Sequence, residues 1–148
     1  MEISFYHMTK SPLEKSLPKL LEKIYGAGLR AVVISDTQER VDQLNALLWT
    51  YSSAAFLPHG TAKEGFQEDQ PIWLTTESEN PNNSSILVVT HGQRVKAEGS
   101  FKRVLDLFDG NDETQLKLAR QRWKDYQQQG HNLTYWQQDA QGSWIKKT

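Results

Sequence analysis

Toward the end of the chain, Lys117, Arg120 and Lys124 are spaced three and four residues apart between Leu116 and Tyr126. On a helix that spacing lines the three cations up in one stripe. Leu116, Ala119, Trp123 and Tyr126 recur at i, i+3, i+7 and i+10, which is the apolar face of the same helix and the one that docks on a sheet. At about 100° per residue, Arg120 stands roughly 60° from Trp123. A guanidinium beside an aromatic edge, flanked by two ammonium groups, suits a carboxylate that carries an adjacent apolar side chain. The pattern equally suits a solvated basic face on a surface helix, and spacing alone leaves the two open.

Two aromatic features point to contact surfaces. Trp49 lies on an expected helix from Thr37 to Thr50, well away from its apolar stripe of Val41, Leu44, Leu48 and Tyr51. A large aromatic so placed either meets a partner or packs beneath the following loop. In Phe56-Leu57-Pro58-His59-Gly60 the proline fixes φ and the glycine relaxes the next turn. The segment either displays Phe56 and His59 rigidly from a loop or opens a core strand at Phe56.

The chemistry of catalysis is not visible. A dinucleotide fingerprint would need G-x-G-x-x-G between the first strand and first helix, and that connection here is Met8-Thr9-Lys10-Ser11-Pro12. Gly26-x-Gly28 follows a helix, lacks the third glycine and reads as a C-cap. The four histidines, His7, His59, His91 and His131, show no metal-binding spacing, so no metal or cofactor is expected. Gly99-Ser100 belongs to no nucleophile elbow. Asp106 and Asp109 are either paired carboxylates or a strand-end residue and a turn former before Gly110.

Composition narrows the class. With 148 residues, 37% hydrophobic and 24% charged, the chain fits one globular domain over its whole length. Seventeen basic against 18 acidic residues leave a formal net charge of −1, too little for a protein held on duplex DNA by many phosphates. The absence of cysteine removes disulfides, thiolate nucleophiles and common structural zinc sites. No signal-peptide pattern or bilayer-spanning run is present, so the expectation is a cytoplasmic protein with no membrane partner.

The elements that must position these residues alternate. Strands are expected at Ile3 to His7, Ala31 to Ser35, Ile72 to Thr76, Ile86 to Thr90 and Arg103 to Phe108, the last bracketed by Gly99 and Gly110. A first helix has a Ser11 N-cap, Pro12 at N1 and Glu14 at N3, with Pro18 either kinking it or delaying its start past Ser16. It turns Leu17, Leu20, Leu21 and Ile24 inward. Asp36 and Glu39 form a capping box for the second helix, and a third runs from about Asp112 to Gln129, ended by Gly130. The polar stretch from Glu77 to Ser85 reads as an exposed loop, and the tail with Trp136 and Trp144 shows no clear periodicity. The alternation implies an α/β domain with a largely parallel sheet.

Phe5-Tyr6, Ala46-Leu47-Leu48-Trp49, Phe56-x-Pro58-His59 and above all Leu118-Ala119-Arg120-x-Arg122-Trp123-Lys124-x-Tyr126 resemble the chi subunit family of bacterial DNA polymerase III. They occur in that family's order and span Phe5 to about Leu133. The resemblance implies a Rossmann-like three-layer domain without a nucleotide-binding glycine loop. It implies a non-catalytic adaptor in DNA replication, linking the clamp loader to single-stranded-DNA-binding protein and touching DNA only indirectly. By resemblance, Arg120 clamps the terminal carboxylate of that protein's acidic, phenylalanine-ended tail, Trp123 and Trp49 wall the apolar pocket, and Lys117 and Lys124 attract the acidic residues. Lys117 is included by neighbourhood, since the lysine some relatives carry falls here on Leu116. Phe56, Pro58 and His59 map onto the surface for the psi subunit or another clamp-loader component. The tail from Tyr135 to Thr148 is assigned no role. Two rivals stand beside this reading: a diverged α/β enzyme, and a single-stranded nucleic-acid module using Trp49, Trp123 and the basic stripe as a stacking groove.

Overall fold

A computed structural model describes residues 1–52, 56–94 and 101–147. The elements follow in the order β1 (Glu2–Met8), α1 (Leu13–Gly26), β2 (Ala31–Ile34), α2 (Gln38–Thr50), β3 (Ile72–Thr75), β4 (Ile86–Val89), β5 (Arg103–Asp109), α3 (Glu113–Gln128), β6 (Asn132–Gln138) and β7 (Trp144–Lys146). One mixed sheet holds all seven strands in the order β3-β2-β4-β5-β1-β6-β7. Every neighbouring pair is parallel except β6 with β7. Gly99, expected before β5, lies outside the described residues.

β2, β3 and β4 are buried along their whole length, as their continuous apolar runs require of parallel strands covered on both faces. One face carries Leu17, Leu21 and Ile24 of α1 with Val41, Leu44 and Leu48 of α2. The other carries α3 through Ala119 and Tyr126. β1 serves both layers by simple alternation. Ile3 and Phe5 point to the α3 side, Tyr6 and Met8 to the α1–α2 side.

Several local expectations change. α1 begins at Leu13 with Pro12 as its N-cap residue and no side-chain cap. Ser11 precedes the N-cap position, and the loop that carries it is held from elsewhere: the backbone N–H groups of Thr9, Lys10 and Ser11 all donate to Gln138 Oε1, each at 3.0 Å. The helix runs through Pro18, which deprives only the exposed Glu14 of its intrahelical donor. Thr37, not Asp36, caps α2, accepting from the Arg40 N–H, while Asp36 pairs with the Arg40 side chain at 3.6 Å. The loop from Glu77 to Ser85 is not wholly exposed. Asn82 and Ser84 are buried, and Asn82 Nδ2 donates to the carbonyls of Ala31 and Gln70. The tail, unassigned from sequence, forms β6 and β7 against the outer edge of β1.

The least expected feature lies between β5 and α3. Asp106 sits mid-strand, opposite Phe5 and Val89 in the flanking strands, and is 1% exposed. It accepts two hydrogen bonds from Arg122, from Nε at 2.8 Å and from Nη2 at 3.0 Å. Arg122 is also 1% exposed, which makes it the largest side chain fully buried in the described structure. Asp106 is therefore neither a strand end nor paired with Asp109. Asp109 is the turn former, accepting from the Asn111 N–H at 2.9 Å. Burial pushes the Asp106 carboxyl up, and the Arg122 guanidinium works against that.

Where β5 leaves the sheet, Gly110 meets His7. A Cβ on Gly110 would come within 1.8 Å of His7 Nε2, so any other residue would force the His7 ring to move. His7 Nδ1 lies 2.6 Å from the Tyr135 hydroxyl. Desolvation holds the His7 pKa down, with the Arg120 charge adding to it. His91, bonded to Ser35 at 2.7 Å, is likewise lowered by burial and by Arg40.

Two expectations follow from these buried groups. Truncating one partner of the ion pair, by Arg122→Met or Asp106→Leu, should cost about 3–5 kcal/mol in urea unfolding, because a buried charge is left uncompensated. The double variant should recover most of that loss; additive losses would show that the two do not act as a pair. Both histidines bind a proton less readily in the fold than in the unfolded chain, where histidine titrates near pH 6.5. Stability should thus be complete above that pH and fall as pH drops through it, and His7→Gln should flatten the fall. An unchanged pH profile in His7→Gln would remove His7 from the linkage.

Candidate binding site

Local signals set α3 in place. Asp112 Oδ1 accepts from the N–H groups of Thr114 and Gln115 at 2.9 and 3.1 Å, capping the first turn. At the other end Gly130 adopts φ +83°, and the His131 N–H returns to the Tyr126 carbonyl at 3.2 Å, which reverses the chain into β6. β6 then runs parallel to β1, with Tyr135 opposite Phe5.

Between α3 and the ends of β5 and β6 lies a cavity of about 420 Å³, lined by Phe108, Leu116, Ala119, Trp123 and Tyr135 with Arg120 and Lys124 at its margin. Its walls are packed on one another. Trp123 is half-buried, edge-on to Phe5 at 5.3 Å and to Tyr135 at 5.6 Å between ring centroids. The Tyr135 hydroxyl is tied to His7, and its pKa is raised by burial, with the Arg120 charge working against the rise. Arg120 is exposed and has no acidic partner among the described residues, whereas Arg94 pairs with Asp125 at 2.7 Å and Arg122 with Asp106. One guanidinium of α3 is thus occupied by the core, and the other is free beside an apolar hole. The volume accommodates an aromatic side chain, and the guanidinium offers a fork for a carboxylate.

The structure divides the residues singled out from sequence. Arg120, Trp123 and Lys124 come together at this cavity. Lys117 is exposed on the same helix but does not line it. Trp49 is elsewhere. It projects from α2, on the other face of the sheet, 53% exposed, with its ring 5.8 Å from Phe56 and 4.8 Å from His59. It cannot wall a pocket with Trp123, because the sheet stands between them. A single groove lined by both tryptophans is excluded for the same reason. Phe56 is 68% exposed and Pro58 half-buried, but His59 is not displayed. It is 4% exposed, with Nδ1 2.7 Å from the Leu57 carbonyl and Nε2 3.2 Å from that of Asn45, so it anchors the loop to α2.

Sequence reasoning missed Tyr135, Phe108 and His7 as members of this site. A signal for Tyr135 existed: the run Leu133-Thr134-Tyr135-Trp136 after Gly130 is rich in residues that favour strands. Among the described residues no group of three His, Cys, Asp or Glu side chains could hold a metal ion. In a nucleotide-binding α/β domain the N–H groups of the loop after β1 face an anion. Here those of Thr9, Lys10 and Ser11 converge on Gln138.

Comparison with known proteins agrees with the sequence resemblance. The chain is 28% identical over 155 aligned positions to the probable DNA polymerase III subunit chi of Rickettsia prowazekii, covering 98% of this chain and 91% of the relative. It is 23% identical to the DNA polymerase III subunit chi of Escherichia coli, covering 83% and 84%. Among solved structures it is similar to the C-terminal domain of the DEAD-box protein Dbp5, with a TM-score of 0.54, 12% identity and coverage of 91% and 90%. A second structure of that domain, from S. cerevisiae, gives a TM-score of 0.55 at 12% identity, covering 87% and 88%. Identity at that level shows the fold alone. The family model described as DNA polymerase III chi subunit, HolC, matches residues 1–134, and the chain belongs to that family.

Proposed function

We propose that this chain is a single-domain, non-catalytic adaptor of the cytoplasmic replication machinery, Rossmann-like in fold, whose α3 cavity takes the C-terminal tail of single-stranded-DNA-binding protein. One observation carries the reading: an unpaired guanidinium, Arg120, stands over an apolar cavity built from Trp123, Tyr135 and Phe108. A chain end with a carboxylate next to a phenyl ring complements both halves at once. Lys124 at the margin and Lys117 about two turns before it attract the acidic residues upstream. Trp49 has no part in this pocket.

Trp49 joins the second surface instead. With Phe56 and Pro58 it forms an exposed aromatic patch at the β3 side of the sheet, suited to a clamp-loader component such as a psi subunit. His59 supports that patch from beneath. Its neighbours are tied down as well: Asn45 Nδ2 donates to Glu64 at 2.8 Å and Lys63 pairs with Asp42 at 3.1 Å.

Because Phe56 is exposed, Phe56→Ala should leave the melting temperature nearly unchanged, unlike a core phenylalanine whose truncation costs about 3–5 kcal/mol. The same variant should lose clamp-loader components in pull-downs, and retention of them would remove the patch from that interface.

The pocket is tested by titrating an acidic peptide ending in phenylalanine. A charge-assisted bond to a guanidinium contributes about 1.5–3 kcal/mol, so Arg120→Ala should weaken binding at least about tenfold. Arg120→Lys should recover only part, since an ammonium cannot form the fork. Amidating the peptide should cost about as much as Arg120→Ala, without adding to it. Lys117→Gln and Lys124→Gln should change mainly the salt dependence, and Trp49→Ala nothing. If neither Arg120→Ala nor amidation matters, the carboxylate clamp is wrong.

A further inference from the structure

A further cleft lies away from both surfaces. It is a trough of about 550 Å³ between α1 and the β6–β7 hairpin, lined by Lys15, Lys19, Lys23, Ser16, Trp136 and Trp144 among others. The three lysines recur at i, i+4 and i+8, so on a helix their Cα atoms follow one another at about 6 Å along the axis. All are exposed, and none has an acidic partner among the described residues. The acidic residues of α1 look elsewhere. Glu22 accepts from the Tyr51 hydroxyl of α2, and Glu14 lines a separate cavity with Arg40 and His91. α1 is thereby split into an acidic side toward α2 and a basic side toward the trough.

The opposite wall is aromatic. Trp136 stacks on Tyr6 with the planes 7° apart, and Trp144 stands edge-on to the same ring at 5.1 Å. Two buried polar atoms of the lining, Ser16 Oγ and Trp136 Nε1, have no hydrogen-bond partner among the described residues, and the Ser16 side chain belongs to a residue only 8% exposed. The unmet groups are thus an indole N–H, a hydroxyl and three ammonium groups, a set dominated by donors.

We propose that this trough binds a short segment of single-stranded nucleic acid, its phosphates along Lys15, Lys19 and Lys23 and a base against the Trp136–Trp144 wall. A regular row of cations facing aromatic rings matches a polymer with a repeating anion and a repeating flat ring. An acidic peptide offers the charge but no ring at each repeat. The near-neutral net charge of the chain is compatible, because three of its 17 basic residues are aligned on this one helix face. The site is separate from the α3 cavity and stands or falls independently of the tail-binding reading.

The test is fluorescence anisotropy of a labelled short oligothymidylate, titrated with the full chain at low ionic strength. Wild type should bind saturably. Lys15→Gln/Lys19→Gln/Lys23→Gln should bind at least about tenfold more weakly, with the slope of log K against log salt reduced by about two, at about 0.7 per single-strand phosphate. Trp144→Ala, on the short edge strand β7, should weaken binding about fivefold or more through lost stacking. The triple lysine variant should keep the wild-type affinity for the phenylalanine-ended peptide, which separates this site from the α3 cavity. No saturable binding by wild type, or binding that the lysine changes leave intact, overturns the proposal. Lysine-dependent binding of an acidic peptide in place of the oligonucleotide overturns it in favour of a second peptide site.

Discussion

The buried pair of Asp106 and Arg122 ties α3 to its sheet. A bidentate guanidinium–carboxylate bond tolerates little rotation or sliding, so it sets both the azimuth and the register of α3 over β5. Once Arg122 points inward, the geometry of the helix turns Arg120 and Lys124 toward the cavity margin and leaves Lys117 in solvent. Such a pair is weak evidence of net stability, since two charges must be desolvated to form it. Its effect is to select one placement of α3 among the several that an apolar stripe of Ala119 and Tyr126 alone would permit.

A second constraint runs through Gln138. By accepting from three successive backbone N–H groups, its amide oxygen occupies the concavity after β1 where related α/β architectures receive phosphate. The residue comes from the end of β6, so the strand that extends the sheet also closes that loop. Binding surfaces then have to arise elsewhere. The surfaces proposed for binding lie between α3 and the sheet, at the β3 edge and in the trough beside β6 and β7. The sheet keeps them apart. Trp123 and Trp49 lie on opposite faces, and Trp136 with Trp144 at the far edge, so partners at these places need not compete.

Much of this was legible in the sequence where the physical cause is local. The continuous apolar runs of β2, β3 and β4 mark strands covered on both faces, and the i, i+3, i+7 stripes mark α2 and α3 with their inward residues. The juxtaposition of Arg120, Trp123 and Lys124 is likewise local, being a property of one helix. β6 was legible only in its strand-favouring composition and not in its pattern, because both of its faces are only half covered and its alternation is muted. The capping assignments at Ser11 and Asp36 failed because both helices start one residue later, with Pro12 and Thr37 at the N-cap positions.

Sequence by itself therefore determined the class of the domain, the alternation of its elements, the basic and aromatic faces of α3 and the family to which the chain belongs. Only the tertiary structure decided which aromatic residues share a surface. It sent Trp49 to Phe56, brought Tyr135 and Phe108 to Trp123, buried His59 and paired Asp106 with Arg122. The reason is that helical periodicity fixes neighbours within about two turns, whereas contacts across a parallel sheet depend on strand order. No local pattern encodes that β6 lies beside β1, and that placement built both the α3 cavity and the trough.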